Sequence, residues 1–478
     1  MPSVTSSSPR VQFTLIGHAC LFVEAGGLRI LVDPWLSGSC YWRSWWHYPP
    51  GGRILPEYLQ PDFVYLSHYH FDHFHFPSMR RLDRKAHVLV PKFGVDVMKK
   101  EVHDLGFPQV RELPHGDVVT LGGGVRVASF QYGLDDSAFV LAAGDVVLAD
   151  LNDCKIKGRA AEALVRAFGR PTVLLKSHSW AQAYPNCYVA SDPRDAVLLA
   201  RGDYAETFFA SVRELRPRYA VPFASMVGFL HPETVRYNAF AITPPDIAAA
   251  ARDADLGDAE VVVMAPGDTW SSTDGFSLAT PDAFADRDAV LARMARAVDP
   301  QLRAAAETEG SRTLTFDAFE RHLGGLLAAL PAGSTGLLAR PVVFHVPSSA
   351  EPYWVVDGRR RAVRRAATPP SDRATLIRVP EGVLADAIEK RILSFVHISL
   401  RISIEIAPGG LHTDFAFWAL LMFYEIGYLP LRRALTPRVL GVAWRRRTEA
   451  RQLFASLIGP STLAEKLVSA LMTTERNT

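Results

Sequence analysis

Residues 65–76, YLSHYHFDHFHF, hold four histidines and one aspartate within twelve positions. The run leaves an apolar stretch, DFVYLSH, that reads as a buried strand. His68, His70, Asp72 and His73 form the pattern H-x-H-x-D-H. In an extended segment alternate side chains point the same way, so His68 and His70 can face one metal together. Once the chain turns, Asp72 and His73 can face a neighbouring position. Neutral imidazole with carboxylate suits zinc, iron or manganese. Two adjoining half-sites allow a binuclear centre, with metals about 3.5–4 Å apart. His75 lies outside the pattern and reads as a supporting or surface group.

Many short strands must position this run. VQFTLIG and LFVEAGGLRILVDPWL read as apolar strands around a Gly-Gly turn. AHVLVPKF, VVTLGGGVRVASF, SAFVLAAGDVVLADL, PTVLLKSH, RYAVPFAS and AEVVVMAPGD continue the series. Helical patterns such as GVDVMKKEVHDLG and YAETFFASVRELRP lie between them. Strands with helices interspersed predict an α/β layered domain over residues 1–272. Residues 273–478 predict a second, smaller α+β domain. It begins with two helices and includes SFVHISLRISIEIAPGG, which alternates like strand. The apolar segment FAFWALLMFYEIGYLPL is short for a membrane span, carries Glu425 and ends in Gly and Pro, so it reads as a buried helix.

Composition narrows the classes. The chain has 478 residues, 48% hydrophobic and 21% charged, which is ordinary for a globular protein. A net charge of +2 argues against nucleic acid, whose phosphates demand clustered positive charge. Cys20, Cys40, Cys154 and Cys187 are scattered, with no C-x-x-C pair, which argues against a zinc ribbon, a Rieske cluster or a disulfide framework. The first residues lack a charged segment followed by an apolar run. The expectation is a cytoplasmic protein with reduced thiols and no membrane segment.

From residue 11 to 272 the sequence resembles the metallo-β-lactamase superfamily, on H-x-H-x-D-H and on the opening LIGHACLFVEAGGLRILVDPWL. The resemblance implies an αββα sandwich with the metals at one sheet edge and Asp33 close to them. DPWLSGSCYWRSWWHYPP, DFVYLSHYHFDHFHFPSMRRL, LNDCKI and AVPFASMVGFLHPE look most like the CMP-N-acetylneuraminate hydroxylase family. Members of that family carry an N-terminal Rieske domain, which has no counterpart in this sequence. The resemblance therefore implies electrons from a separate ferredoxin or flavin reductase.

The resemblance also suggests further ligands. Hydrolytic superfamily members supply a third histidine where this chain reads QYGLDDSAF, which offers Tyr132, Asp135 and Asp136 instead. Asp136 aligns best by its D-S context, with Asp135 its rival. In DVVLADLNDCKI the bridging carboxylate is expected at Asp153 rather than Asp150. The final histidine is missing directly after AVPF. His231, a few residues later, is the expected ligand, with His178 the alternative ligand or a pocket group. His18 and His115 read as supporting or surface groups. Asp72, His178 and Tyr132 are the candidate catalytic groups.

Acid in place of histidine makes a site harder and moves preference from zinc toward iron or manganese. The leading expectation is a di-iron oxygenase acting on a small polar metabolite with dioxygen as co-substrate. A binuclear hydrolase of phosphoesters, lactones or amides is second, and a non-enzymatic binding module third. Trp45, Trp46 and Arg43, with Trp180 and Tyr184 opposite, would wall the substrate pocket. Their plainer reading is a hydrophobic cluster pinning a loop. The second domain suits a lid, a homodimer surface or a carrier-protein dock.

Overall fold

The computed structural model describes residues 10–133, 135–179, 182–190, 204–331, 333–370 and 374–449. Two sheets face each other in the first half of the chain. One has eight strands, in the order Gly275–Ser277, Thr269–Ser271, Val11–Gly17, Cys20–Ala25, Leu28–Val32, Phe63–Tyr65, His87–Pro91 and Val110–Leu113. The other has seven, running from Glu260–Val261 through Tyr219–Pro222, Val173–Lys176, Val146–Asn152, Asp136–Ala143 and Val125–Tyr132 to Val119–Gly122. Alternation along the strands sends Phe13, Leu21, Ile30 and Tyr65 of the first sheet against Val127, Phe139, Leu141 and Val221 of the second. The outer faces are apolar too. Phe130, Val140 and Leu174 pack against the helices Arg159–Phe168 and Tyr204–Leu215. Leu31, Val64 and Val88 pack against Val97–Asp104. The layers are therefore αββα, as the sequence pattern predicts.

At one end of the sandwich two turns touch. A Cβ on Gly26 (φ +55) would stand 2.3 Å from the Gly123 carbonyl oxygen, so both turns need glycine there. At the other end the chain leaves the strands in long loops. The strands Leu28–Val32 and Phe63–Tyr65 run parallel and finish side by side, with Val32 opposite Tyr65. Val146–Asn152 and Val173–Lys176 do the same in the second sheet. Both pairs end where the histidine run begins.

The C-terminal half builds a six-stranded sheet, covered by helices that include Phe316–Ala329, Glu381–Glu389 and Leu411–Ile426. One edge strand of that sheet, Tyr188–Ala190, comes from the first half of the chain and pairs with Ser403–Ile406. Its core is continuous with the loops over the sandwich: Trp35, Tyr41 and Trp45 share one buried cluster with Phe344, Phe395 and Phe417. Arg401, buried, ties the two halves through an ion pair of 2.8 Å to Glu233, and a second of 2.8 Å to Glu309 braces it within its own half.

The strand expected through residues 394–410 is shorter than its pattern. A turn Leu393–Phe395 and a helix Val396–Ser399 precede it, Leu400 adopts φ +60, and only Ser403–Ile406 is strand. Local alternation loses here to packing, because Phe395 and Val396 are buried in the C-terminal core. Residues 411–426 form the expected buried helix, and among the described residues no helix is long and apolar enough to cross a membrane.

Candidate metal centre

Asp33 organises the strand ends. It follows Leu28–Val32 with φ +43, and its carboxylate accepts from Ser67, 2.7 Å from the backbone N–H and 2.6 Å from the hydroxyl. The same carboxylate stands 2.7 Å from His73 Nδ1. Taking that N–H fixes the ring and presents Nε2 inward, the usual support of a metal-ligating histidine.

Two groups of donors converge beyond it. His18, Asp72 and His73 form one, and His68, His70 and Asp153 the other, each with its ligand atoms within 4.8 Å of one another. In the first, Asp72 Oδ2 lies 2.8 Å from His18 Nε2 and 3.3 Å from His73 Nε2, while Tyr41 donates to Oδ1 at 2.5 Å. In the second, His68 Nε2 lies 2.9 Å from His70 Nδ1. Asp153 Oδ2 spans the groups, 4.0 Å from His68 Nε2 and 3.3 Å from His73 Nε2. The first group is wholly buried, whereas His70 and Asp153 are partly exposed.

The electrostatics follow from this crowding. Burial works against charge on His73, but Asp72, Asp33 and Asp153 outweigh it and hold its pKa well above the ordinary value. Burial and two neighbouring imidazoles push His68 well below. Burial opposes the charge of Asp72 and Asp153, yet His73 and its neighbours keep both carboxyls well below the usual range. Among protein groups alone, the imidazolium of His73 balances these acids. A divalent cation among the same donors supplies that charge instead and leaves His73 a neutral ligand. His73 Nε2 is buried with no hydrogen-bond partner, which also fits a metal ligand. The donor set therefore fits a binuclear centre.

The other expected residues fall in different places. Asp136 begins its strand beside the open group. Burial, then Asp135, lifts its pKa to about 7 against the pull of His70, but it belongs to neither group. Asp150 is buried behind the centre and accepts from the Asn152 N–H at 3.0 Å. His178 stands near His18. Its Nδ1 lies 3.2 Å from the Phe223 carbonyl oxygen, burial lowers its pKa to about 4, and its Nε2 is buried without a hydrogen-bond partner. His231 is not brought to the centre. The strand Val227–Phe229 pairs with Trp45–His47 and carries it away, and its charged neighbours are Arg401, Glu233, Glu309 and Arg43. Tyr132 packs with the helices on the outer face of the second sheet.

Of the proposed pocket wall, Trp45 is nearest the donors, its ring 6.3 Å from that of His18. Trp46 instead packs with Tyr48, Leu291 and Leu302, so it braces the helix Arg287–Gly310. Arg43 is exposed, and Tyr184 stacks edge-on with Phe415 in the C-terminal core. Trp180 lies outside the described residues. Sequence reasoning read His18 as a supporting or surface group, not as one of the grouped donors, and did not single out Tyr41 as a partner of Asp72. The signal was present in part: His18 sits in the tight connection between two buried strands, with φ 46.

Residues 12–154 match the family model of the beta-lactamase superfamily domain, and with the αββα layers they give this chain a metallo-β-lactamase fold. The chain is similar to a Mycobacterium tuberculosis protein named for a Rieske 2Fe-2S iron-sulfur centre, 29% identical over 254 residues, 50% of this chain and 48% of that one. It is also similar to the cytidine monophosphate-N-acetylneuraminic acid hydroxylase of Danio rerio, 39% identical over 77 residues, 16% of this chain and 13% of the hydroxylase. The chain thus spans about half the length of the mycobacterial relative and a smaller share of the hydroxylase. Among solved structures it is similar to CmlA, a diiron beta-hydroxylase from Streptomyces venezuelae, with TM-score 0.38, 18% identity, 54% of this chain and 53% of that one covered. It is likewise similar to a metallo hydrolase from Ignicoccus hospitalis, with TM-score 0.39, 20% identity, 55% of this chain and 98% of that one covered.

Proposed function

We propose that this protein is a non-haem di-iron oxygenase that hydroxylates or N-oxidises a small polar metabolite, with electrons from a separate ferredoxin or flavin reductase. The observation that carries the reading is the pair of adjoining donor groups, each with one carboxylate, spanned by Asp153 and flanked by Asp136. Such a mixed set suits iron or manganese better than a histidine-only set does. The likeness to a hydroxylase supports the same chemistry, and the relative named for a Rieske centre supports an iron–sulfur source of electrons.

His18, Asp72 and His73 would hold one iron, and His68, His70 and Asp153 the other. Bound there, the pair would supply dioxygen activation. The chain's own residues do the rest. Asp33 orients His73, while Tyr41 holds Asp72. Trp45, Phe71 and Phe395 form an apolar wall beside the donors that keeps bulk water away. The four buried cysteines stand apart, and none joins either donor group among the described residues.

The test is metal analysis and Mössbauer spectroscopy on protein purified anaerobically with iron, followed by oxygen uptake with a reductant. Two irons per chain and reductant-dependent uptake are expected. Stoichiometric zinc with no uptake would sink the reading. A second reading, a binuclear hydrolase, draws on the four imidazoles among the six grouped donors, which zinc also accepts. Turnover of phosphodiester or lactone substrates with zinc or manganese would promote it.

A further inference from the structure

A small cavity lies just beyond His70 that the donor geometry does not explain. It forms where the sandwich meets the C-terminal half. Both halves of the chain line it, among them Phe93, Met98, Phe395, Met422 and Ile426, with His70 and Asp135 as its ionisable groups. Its volume is about 20 Å³ for the centre of a water-sized sphere. That is room for one molecule of two or three atoms and too little for an organic substrate.

The shape is held from behind. Phe395 stands edge-on to His70, ring centres 5.6 Å apart. The turn bearing Phe395 is gripped by the buried carboxylate of Glu425, which accepts from the N–H groups of Leu393 at 2.8 Å and Ser394 at 2.9 Å. His322 Nε2 meets the same carboxylate at 2.8 Å. On the other wall the Tyr428 ring lies on Gly94, where a Cβ would come within 2.8 Å of it. The mouth is thus built by close packing of both halves of the chain.

Apart from His70, Asp135 and two tyrosine rings, the cavity is walled by aliphatic and aromatic side chains, which suit a small apolar guest. His70 belongs both to the cavity lining and to the donor group it shares with His68 and Asp153, its Nδ1 2.9 Å from His68 Nε2. We propose that this cavity is the station through which dioxygen reaches the centre. The inference rests on the oxygenase reading and adds to it the route of the co-substrate and the residues that set it.

Xenon marks sites of this kind without any chemistry. Crystals of the protein pressurised with xenon are expected to show one xenon atom among His70, Phe395 and Met422, and Ile426→Trp is expected to abolish it. In stopped-flow mixing of the iron-loaded, chemically reduced protein with dissolved dioxygen, Ile426→Trp is expected to slow reoxidation about tenfold at unchanged iron content. Met422→Phe is a second, milder plug for use if the tryptophan variant fails to fold. An ordered water in place of xenon, or reoxidation of the plugged protein at the wild-type rate, would overturn the cavity's role and leave the oxygenase reading standing. A reduced wild-type protein inert to dioxygen would instead overturn the oxygenase reading, and the dioxygen route with it.

Discussion

Asp414 and Asp72 are both buried carboxylates beside histidines, and their surroundings drive them in opposite directions. Asp414 lies in the C-terminal core, 2.7 Å from the Tyr188 hydroxyl and 3.2 Å from Trp418 Nε1. The Tyr188 hydroxyl also stands 2.8 Å from His397 Nε2. Burial lifts the Asp414 carboxyl to about 7, against the hydrogen bonds from Tyr188 and Trp418, and lowers His397 to about 3. Below about pH 7 Asp414 is protonated and His397 neutral, so the cluster carries no charge and needs no cation. Around Asp72 the carboxylates stay ionised, and the Nε2 atoms of His18 and His73 converge on Asp72 Oδ2 from 2.8 and 3.3 Å. A buried acid beside a histidine is therefore not in itself a sign of metal. Converging donors that the protein cannot satisfy alone are the sign.

The largest effect is expected where the comparison is sharpest. Asp72→Ala removes the carboxylate that lies within 3.3 Å of both His18 and His73. Loss of a ligand should cost more than the roughly 10–100-fold in metal affinity typical of outer partners. Elemental analysis after dialysis should show the first position empty, and the thermal midpoint should respond less to added metal. Asp414→Asn, in contrast, should leave metal content unchanged. Two metals retained in Asp72→Ala would erase the distinction between the clusters.

The second prediction tests the neutral cluster by pH, in chelator-treated protein. Native Asp414 keeps its proton up to about 7, while the unfolded chain releases it near 3.8. The native state then binds more protons across that window, so this contribution is full below it and is lost as pH rises. His397, with its native pKa lowered from 6.5 to about 3, runs the other way. The two nearly cancel between about pH 4 and 6.5, leaving the intact cluster almost silent there. Asp414→Asn breaks that balance. The stability of wild type relative to the variant should fall as pH rises from about 4 to 7, by at most about 4 kcal/mol. Urea unfolding at several pH values measures it, and a difference that rises with pH would contradict the neutral cluster.

The same comparison explains what could be read before folding. His68, His70, Asp72 and His73 lie within six residues at a strand end, so local spacing alone places them together. The layered fold was legible from short apolar runs with helical patterns between them, because inner and outer faces of both sheets are apolar. His18 was not legible as a partner. It is 54 positions from Asp72, and only the order of the strands brings the two together. His231 was expected at the centre because it follows a strand end, but pairing of Val227–Phe229 with Trp45–His47 redirects the chain. Asp414 and His397 carry no spacing signal, and their network forms through Tyr188, more than two hundred positions away.

A third prediction falls on the shell around the charged cluster. Asp33→Asn keeps the shape of the side chain but weakens its hold on His73 Nδ1, now held at 2.7 Å, and on Ser67. Metal affinity should drop about 10–100-fold while the fold persists, read by competition with a chromophoric chelator. The smallest effect belongs to Tyr41→Phe. It deletes the 2.5 Å donor to Asp72 Oδ1 and the acceptor for the Phe71 N–H, yet leaves the ring packed between Trp45 and Phe71. Asp72 Oδ2 still meets His18. A charge-assisted hydrogen bond is worth about 1.5–3 kcal/mol, and a metal ion that already polarises Asp72 should take over part of it. Affinity should then fall by about tenfold or less, with both metals still bound. A drop as large as that of Asp72→Ala would mean that Tyr41 shapes the donor group itself, and the line between ligand and support would have to be redrawn to include it.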